Sequence, residues 1–316
     1  MQLCLMIEGQ DGVTWEEWVA LAQACEAHGI ETMLRSDHYQ DLFGAHPEWG
    51  ALDAWGTICG LAAVTRTLRL GTLVSPATFR HPSELAKLVT TADHISGGRV
   101  VLGLGAGWNE AEHAAYGFPL PPMRERVDRL AEQLEVIHGT WHSSPQEPFS
   151  FSGKLYELES LGAVPAPVQR PHPPLIMGGS AGPRVAALAA RFADEYNTNF
   201  VTVEEVRARR ASIVEACERA GREPIPFSYM TGIVVAEDEA GVDARCARLE
   251  EQVGLDPGTL RGGDNVSFIV GTVDQVAERL RAYGEAGVSR IMCQHLLHDD
   301  LETVAVLGER LAPLVA

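Results

Sequence analysis

The chain is short of positive charge and of closely spaced cysteines, and each shortage removes a class of protein. Lys and Arg number 25 against 43 Asp and Glu in 316 residues, a formal net charge of −18. A surface of that sign repels polyphosphate chains and anionic headgroups, so nucleic acid and membranes are not expected as partners. The six cysteines, Cys4, Cys25, Cys59, Cys217, Cys246 and Cys293, include no C-x-x-C pair. They fall mostly inside apolar patterns and read as buried free thiols in a reducing compartment. No apolar run reaches the ~20 residues that span a bilayer. The opening Met1-Gln2-Leu3-Cys4-Leu5-Met6-Ile7 lacks a basic start and is cut short by Glu8, so it reads as a strand, and a cytoplasmic protein is expected. Nucleotide fingerprints are missing too. Gly103-Leu104-Gly105-Ala106-Gly107 is followed by Trp108 where a dinucleotide motif needs glycine, and no phosphate-loop lysine follows any glycine run.

What is present is ordinary globular composition, 46% apolar and 22% charged, arranged as short apolar runs alternating with longer amphipathic ones. Strands are expected at Leu3–Ile7, Thr32–Arg35, Leu68–Val74, Val100–Leu104, Leu175–Met177, Asp194–Asn197, Phe227–Ala236 and Ser289–Cys293. Helices are expected at Trp15–His28, Asp53–Val64, Ser83–Ile95, Arg124–Trp141, Pro183–Phe192, Val203–Ala220, Val273–Ala286 and Leu301–Leu314. Eight such alternations imply a parallel sheet covered by helices, and suggest closure into a (β/α)₈ barrel of the TIM type over an open doubly wound sheet. Three intervals are too long for barrel turns: 37–52, 149–174 and 240–270. They read as insertions on a single domain spanning 1–316. The middle one holds Phe149-Ser150-Phe151-Ser152-Gly153-Lys154-Leu155-Tyr156, whose alternation suggests a small hairpin, then a proline-rich extended stretch.

Barrel enzymes carry their chemistry where strands end. Ser36-Asp37-His38-Tyr39 ends the second expected strand, and a histidine there is either an acid or base near neutral pH or half of a structural pair. Gly103 to Gly107 ends the fourth, leaving bare backbone that either lets a flat ligand approach closely or simply makes a tight turn. Gly178-Gly179-Ser180-Ala181-Gly182 ends the fifth and opens a helix. Free N–H groups, the helix dipole and the Ser180 hydroxyl make it the best phosphate site in the chain. Weaker candidates are Arg80, His81, Asn109, Glu110, Glu112 and His113. His295 and His298 lack an evident third ligand, so no metal is expected.

Taken together, Ser36-Asp37-His38-Tyr39, Leu70-Gly71-Thr72-Leu73-Val74-Ser75-Pro76-Ala77-Thr78-Phe79-Arg80-His81-Pro82, Asp93 to Arg99, Gly103 to His113, Pro167 to Pro174 and Gly178-Gly179-Ser180 resemble the luciferase-like monooxygenase family, in particular its deazaflavin-dependent branch. The likeness covers nearly the whole chain. It implies a bacterial luciferase-like barrel and an oxidoreductase using coenzyme F420, which moves a hydride through ring carbon C5, with FMN as the alternative cofactor. By position, Asp37, Leu73, Val74, Ala106 and Gly107 would line the ring, Gly178, Gly179 and Ser180 would meet the phosphate or its linker, and His38 would face a small organic substrate. The resemblance also implies a non-prolyl cis bond between Leu73 and Val74, and a homodimer formed through helices near the second and third strands. One position departs: some deazaflavin dehydrogenases of the family carry a glutamate acid where this chain has Trp108. That argues against sugar-phosphate oxidation and for a more apolar substrate. The competing functions are an FMN-dependent monooxygenase fed by a partner flavin reductase, and a non-catalytic flavin-binding barrel.

Overall fold

The computed structural model describes residues 1–42, 46–262 and 265–316; the parts of the first and third expected insertions at 43–45 and 263–264 lie outside the described residues. Strand and helix alternate as the periodicity requires. β1 (Gln2–Ile7) leads to α1 (Trp15–Ala27), which Thr14 and Glu17 start with a reciprocal capping box. β2 (Thr32–Arg35) leads to α2 (Ala54–Val64), where the Asp53 carboxylate accepts the Gly56 N–H at 2.8 Å. The expected third strand is two pieces, β3 (Arg69–Thr72) and β4 (Ser75–Pro76), and the Leu73–Val74 bond between them is cis. Then come α3 (Pro82–Ser96), β5 (Val100–Gly105), the short α4 (Glu110–Tyr116) and α5 (Met123–His142). β6 (Phe149–Ser152) and β7 (Glu157–Leu161) form the expected hairpin. β8 (Leu175–Gly178), α6 (Pro183–Phe192), β9 (Glu195–Asn199), α7 (Val203–Arg219) and β10 (Phe227–Ala236) follow in register with the sequence pattern.

The interval 240–270 differs from the bare insertion the sequence suggests. It carries α8 (Glu239–Val253), the single-turn α9 (Pro257–Leu260) and most of β11 (Phe268–Thr272). Val242, Cys246 and Leu249 give α8 a buried stripe at helical spacing, interrupted in the sequence by the charged Arg245, which is itself buried. The chain closes with α10 (Val273–Glu285), β12 (Arg290–Gln294) and α11 (Leu301–Ala305). A π turn at Val306–Leu311 then leads to α12 (Ala312–Val315), so the expected helix Leu301–Leu314 is not uniform. Gly308 lies in that turn, where a Cβ would sit 1.9 Å from the His28 carbonyl oxygen.

Eight parallel strands close in the order β12-β1-β2-β3-β5-β8-β9-β10, with β10 pairing back onto β12; this is a (β/α)₈ barrel. Cys4, Met6, Leu34, Leu73, Val101, Ile176, Met230 and Met292 fill its interior, while a larger apolar layer lies between strands and helices. At ten residues, β10 outruns the barrel. Its last residues pair with β11, and α8 covers that extension with a small core of its own, built from Val234, Phe268, Leu249 and Leu297 among others. The buried ion pair of Arg245 with Asp300, 2.8 Å, fastens α8 to the start of α11. All six cysteines are free, and no helix among the described residues is long and apolar enough to cross a membrane.

Candidate active site

The C-terminal ends of the strands gather at one mouth. At the end of β2, Asp37 is enclosed. Its carboxylate receives Arg80 Nη1 at 2.6 Å, Arg80 Nη2 at 3.1 Å and the Ser75 hydroxyl at 2.6 Å. Arg80 also reaches Asp53 at 2.6 Å and the Tyr39 hydroxyl at 3.1 Å. The Asp37 side chain has no exposed surface.

His38 faces the other way. Its Nδ1 lies 2.8 Å from Glu112 Oε2; the imidazole is 17% exposed and the carboxylate 0%. The second oxygen of Glu112 accepts the Tyr39 N–H, and Asn109, which caps α4, accepts the Glu112 N–H at 3.0 Å. Burial opposes protonation of His38. The hydrogen bond and charge of Glu112, with Glu8 and Asp37 farther off, outweigh it and lift the imidazole above its ordinary value. Trp108, 55% exposed, meets the imidazole edge-on with ring centres 5.6 Å apart. Behind them Tyr39 stacks on Phe79 at 5.1 Å and packs near Tyr116 and Phe118, so the rim of the mouth is aromatic.

Sequence reasoning missed the end of β1. Glu8 accepts the Gln294 amide at 2.6 Å and the Gln10 amide at 2.9 Å. Burial, then Glu8 and Asp41, push the Asp11 carboxyl up to about 7 although His38 opposes them. The strand-end rule that singles out His38, applied to β1, finds both carboxylates.

Val74 stands between the two glycine turns. A Cβ on Gly105 would lie 2.7 Å from Val74 Cγ2, one on Gly103 3.0 Å from Val74 Cγ1, and one on Gly178 3.5 Å from it. Because β5 pairs with β8 (Leu104 opposite Met177), the turns that begin at Gly105 and Gly178 leave neighbouring strand ends. Leu73 is buried beneath. Val74, Ala106, Gly107 and Gly178 are half-buried, and Gly179 and Ser180 are exposed. Gly107 has φ +80°, and a Cβ there would meet the Thr78 hydroxyl at 2.7 Å. The result is a surface of glycine backbone with few side chains, Val74 and Ala106 among them, and the N-terminus of α6 at its edge. In that edge the Gly179 N–H is already donated to the Asn197 carbonyl at 3.1 Å, and the Ala181 N–H to the Tyr196 hydroxyl at 2.9 Å. The amides of Ser180 and Gly182 have no protein partner among the described residues. The available donors are thus one position later than Gly179, because β8 extends its ladder to β9 through that residue.

The remaining candidates lie outside this arrangement. His81 caps α3 by accepting the Ser83 N–H, Glu110 is exposed, and His113 is buried on Thr78 at 2.6 Å. His295 and His298 are buried beyond β12, pushed down to about 4 and about 3, chiefly by burial.

The luciferase-like monooxygenase model matches residues 4–290. An FMNH(2)-dependent dimethylsulfone monooxygenase of Pseudomonas putida is 28% identical, covering 93% of this chain and 86% of that one. An F420-dependent glucose-6-phosphate dehydrogenase of Nakamurella multipartita is 25% identical, covering 94% and 91%. Among solved structures, monooxygenase RslO1 from Streptomyces bottropensis superposes with a TM-score of 0.84 at 22% identity, over 100% of both chains.

Proposed function

The chain belongs to the luciferase-like monooxygenase family, whose oxidoreductases use FMN or F420, and from that premise we propose that it is a coenzyme F420-dependent oxidoreductase acting on a small, largely apolar organic substrate. Leu73, Val74, Ala106 and Gly107 would carry the ring, with Asp37 bracing it from behind. The N–H groups of Ser180 and Gly182, with the Ser180 hydroxyl, would hold the phosphate, and Gly178 and Gly179 would line the approach to it. Bound there, the cofactor supplies or accepts a hydride at a ring carbon. His38 moves the accompanying proton at Nε2. The aromatic rim of Trp108, Tyr116 and Phe118 excludes water and suits a substrate without phosphate or carboxylate, which the carboxylates at Glu8 and Asp11 would repel. His38 is the observation that carries this reading. Hydride transfer at an oxygen-bearing carbon leaves a proton to place, and a half-buried imidazole backed by a carboxylate is suited to place it.

FMN-dependent oxygenation is the second reading, favoured by the dimethylsulfone monooxygenase likeness and by Trp108 in place of an acid; it would require a flavin reductase as partner. Titration of the purified chain with F420 and with FMN, followed by absorbance and fluorescence, tests the choice. Saturable F420 binding with weak FMN binding supports the proposal, and FMN binding alone overturns it. We further propose a homodimer through α2 and α3, checked by light scattering.

A further inference from the structure

We propose that Phe200 is a specificity-determining residue whose ring closes the apolar side of the mouth, so that the substrate lays a compact alkyl or aryl group against it. The place of the cofactor rests on the oxidoreductase reading above; the placement of the ring does not.

Along β9 the side chains alternate. Glu195 reaches Arg290 at 2.6 Å and Asn197 reaches Ser228 at 3.0 Å, on the strand faces that also carry the interior residues Met292 and Met230. Tyr196 lies in the outer apolar layer, and the Thr198 hydroxyl accepts Arg209 from α7. Position 200 has the parity of Tyr196 and Thr198, so a continued strand would turn it toward the helices. Instead Phe200 takes φ +50° and packs, half-buried, against the interior cluster that includes Leu73, Met230 and Met292.

Left-handed backbone is costly for a bulky residue and cheap for glycine. Here the surroundings hold it. The Phe200 N–H donates to the Met230 carbonyl at 3.3 Å. The Val201 N–H donates to the Tyr229 hydroxyl at 3.3 Å, and the Tyr283 hydroxyl donates to the Val201 carbonyl at 3.1 Å. Those two tyrosines are buried and stack with ring centres 4.4 Å apart. Strain fixed from both sides points to a group whose position is used, and the group it positions is an aromatic ring.

Polarity divides the mouth. Glu8, His38 and Gln294 stand at the ends of β1, β2 and β12, which are neighbours in the barrel. β9 lies three places round from β3, so Phe200 is nearly across the barrel from Val74. These two are the half-buried apolar side chains that pack on the interior cluster among the described residues. With the cofactor ring carried on the Val74 side, Phe200 is left to meet the apolar part of the substrate, and its bulk limits the size of that part.

The experiment is a binding titration of the full-length chain, wild type, Phe200→Gly and Phe200→Trp, with three neutral ketones of rising size: cyclobutanone, cyclohexanone and cyclooctanone. Binding is read from the methyl NMR signals of Met230 and Met292, with and without F420. Glycine removes the ring and suits the left-handed backbone. Phe200→Gly should therefore keep its urea midpoint close to wild type. Its affinity ratio should move at least ~10-fold toward cyclooctanone, within the range that added methylenes command in an apolar pocket. Phe200→Trp should move the ratio toward cyclobutanone. An unmoved ratio in a folded Phe200→Gly overturns the proposal, and so does an absence of binding by all three chains. Should Phe200→Gly fail to fold, Phe200→Trp decides, and an unmoved ratio there overturns it. A moved ratio in a chain that binds no F420 overturns the cofactor reading and leaves the apolar wall standing. F420 binding with an unmoved ratio does the reverse.

Discussion

Val74 occupies the space that a side chain at position 105 would need: a Cβ on Gly105 would lie 2.7 Å from Val74 Cγ2. Gly105→Ala should therefore push Val74 out of place, at a cost of ~1–3 kcal/mol for overpacking, and should weaken cofactor binding. Adding Val74→Ala should restore stability without restoring affinity. Urea unfolding and cofactor titration of the three variants check this. Affinity recovered in the double variant would show that Val74 does not support the ring.

The exposed Ser180 offers a cleaner test of the anion site than Gly179, whose φ of +141° would strain any side chain. Ser180→Asp places a carboxylate where the phosphate is proposed to sit. Cofactor Kd should rise about tenfold, equivalent to ~1.4 kcal/mol, and the effect should shrink as salt is added. Equal affinities for wild type and variant at low salt would refute the assignment.

His38→Ala removes the proton-transfer group while leaving the glycine surface around Val74 intact. Turnover should drop ~10²–10⁴-fold, with cofactor affinity kept within about twofold. Stopped-flow measurement of the hydride step reads this directly, and a variant turning over at the wild-type rate would exclude His38 from the chemistry.

The mouth is also held by a buried ion pair. Asp300 accepts Arg245 Nε at 2.8 Å and caps α11 through the Thr303 N–H at 3.2 Å. Asp300→Ala leaves the buried Arg245 with only the exposed Glu302 at 3.2 Å as a counter-charge and should cost ~3 kcal/mol. The loss is to be read in urea midpoints, with α8 expected to gain hydrogen exchange before the barrel strands. Uniform exchange across the whole chain would mean that α8 does not depend on the pair.

Stability should fall in mild acid. His138 packs against His172 with ring centres 4.7 Å apart and His142 at 5.9 Å, and its Nε2 is buried without a hydrogen-bond partner among the described residues. Burial first, then the charges of His172 and His142, push it down to about 4. Burial does the same to His295, also at about 4. A histidine with a depressed folded value binds its proton more readily unfolded, so its stabilisation is complete above the unfolded value of ~6.5 and is lost as pH falls from there toward 4. The urea midpoint should thus drop between about pH 7.5 and pH 5, and His138→Phe should flatten part of that slope. An unchanged slope in that variant would place the acid sensitivity elsewhere.

The order of strands and helices was legible in the sequence because it rests on local facts. Buried strands are short apolar runs, helices bury one stripe, and Gly and Pro stop both. The glycine turns at Gly103–Gly107 and Gly178–Gly182, and His38 at a strand end, were visible for the same reason. The cis bond at Leu73–Val74 was legible only through family resemblance, since nothing local in Gly71-Thr72-Leu73-Val74 demands it. What only the tertiary structure decided is which groups meet. Glu112 and His38 are 74 residues apart and come together only when β2, β3 and β5 take successive places in a closed barrel. Closure also brings Gln294 of the last strand onto Glu8 after the first, 286 residues away. It encloses Asp37 behind Arg80 and Ser75. And it buries Arg245, so that a charged residue within the interval 240–270 becomes part of what anchors α8. Periodicity records which face of an element is buried; the partner across the mouth depends on how the barrel closes.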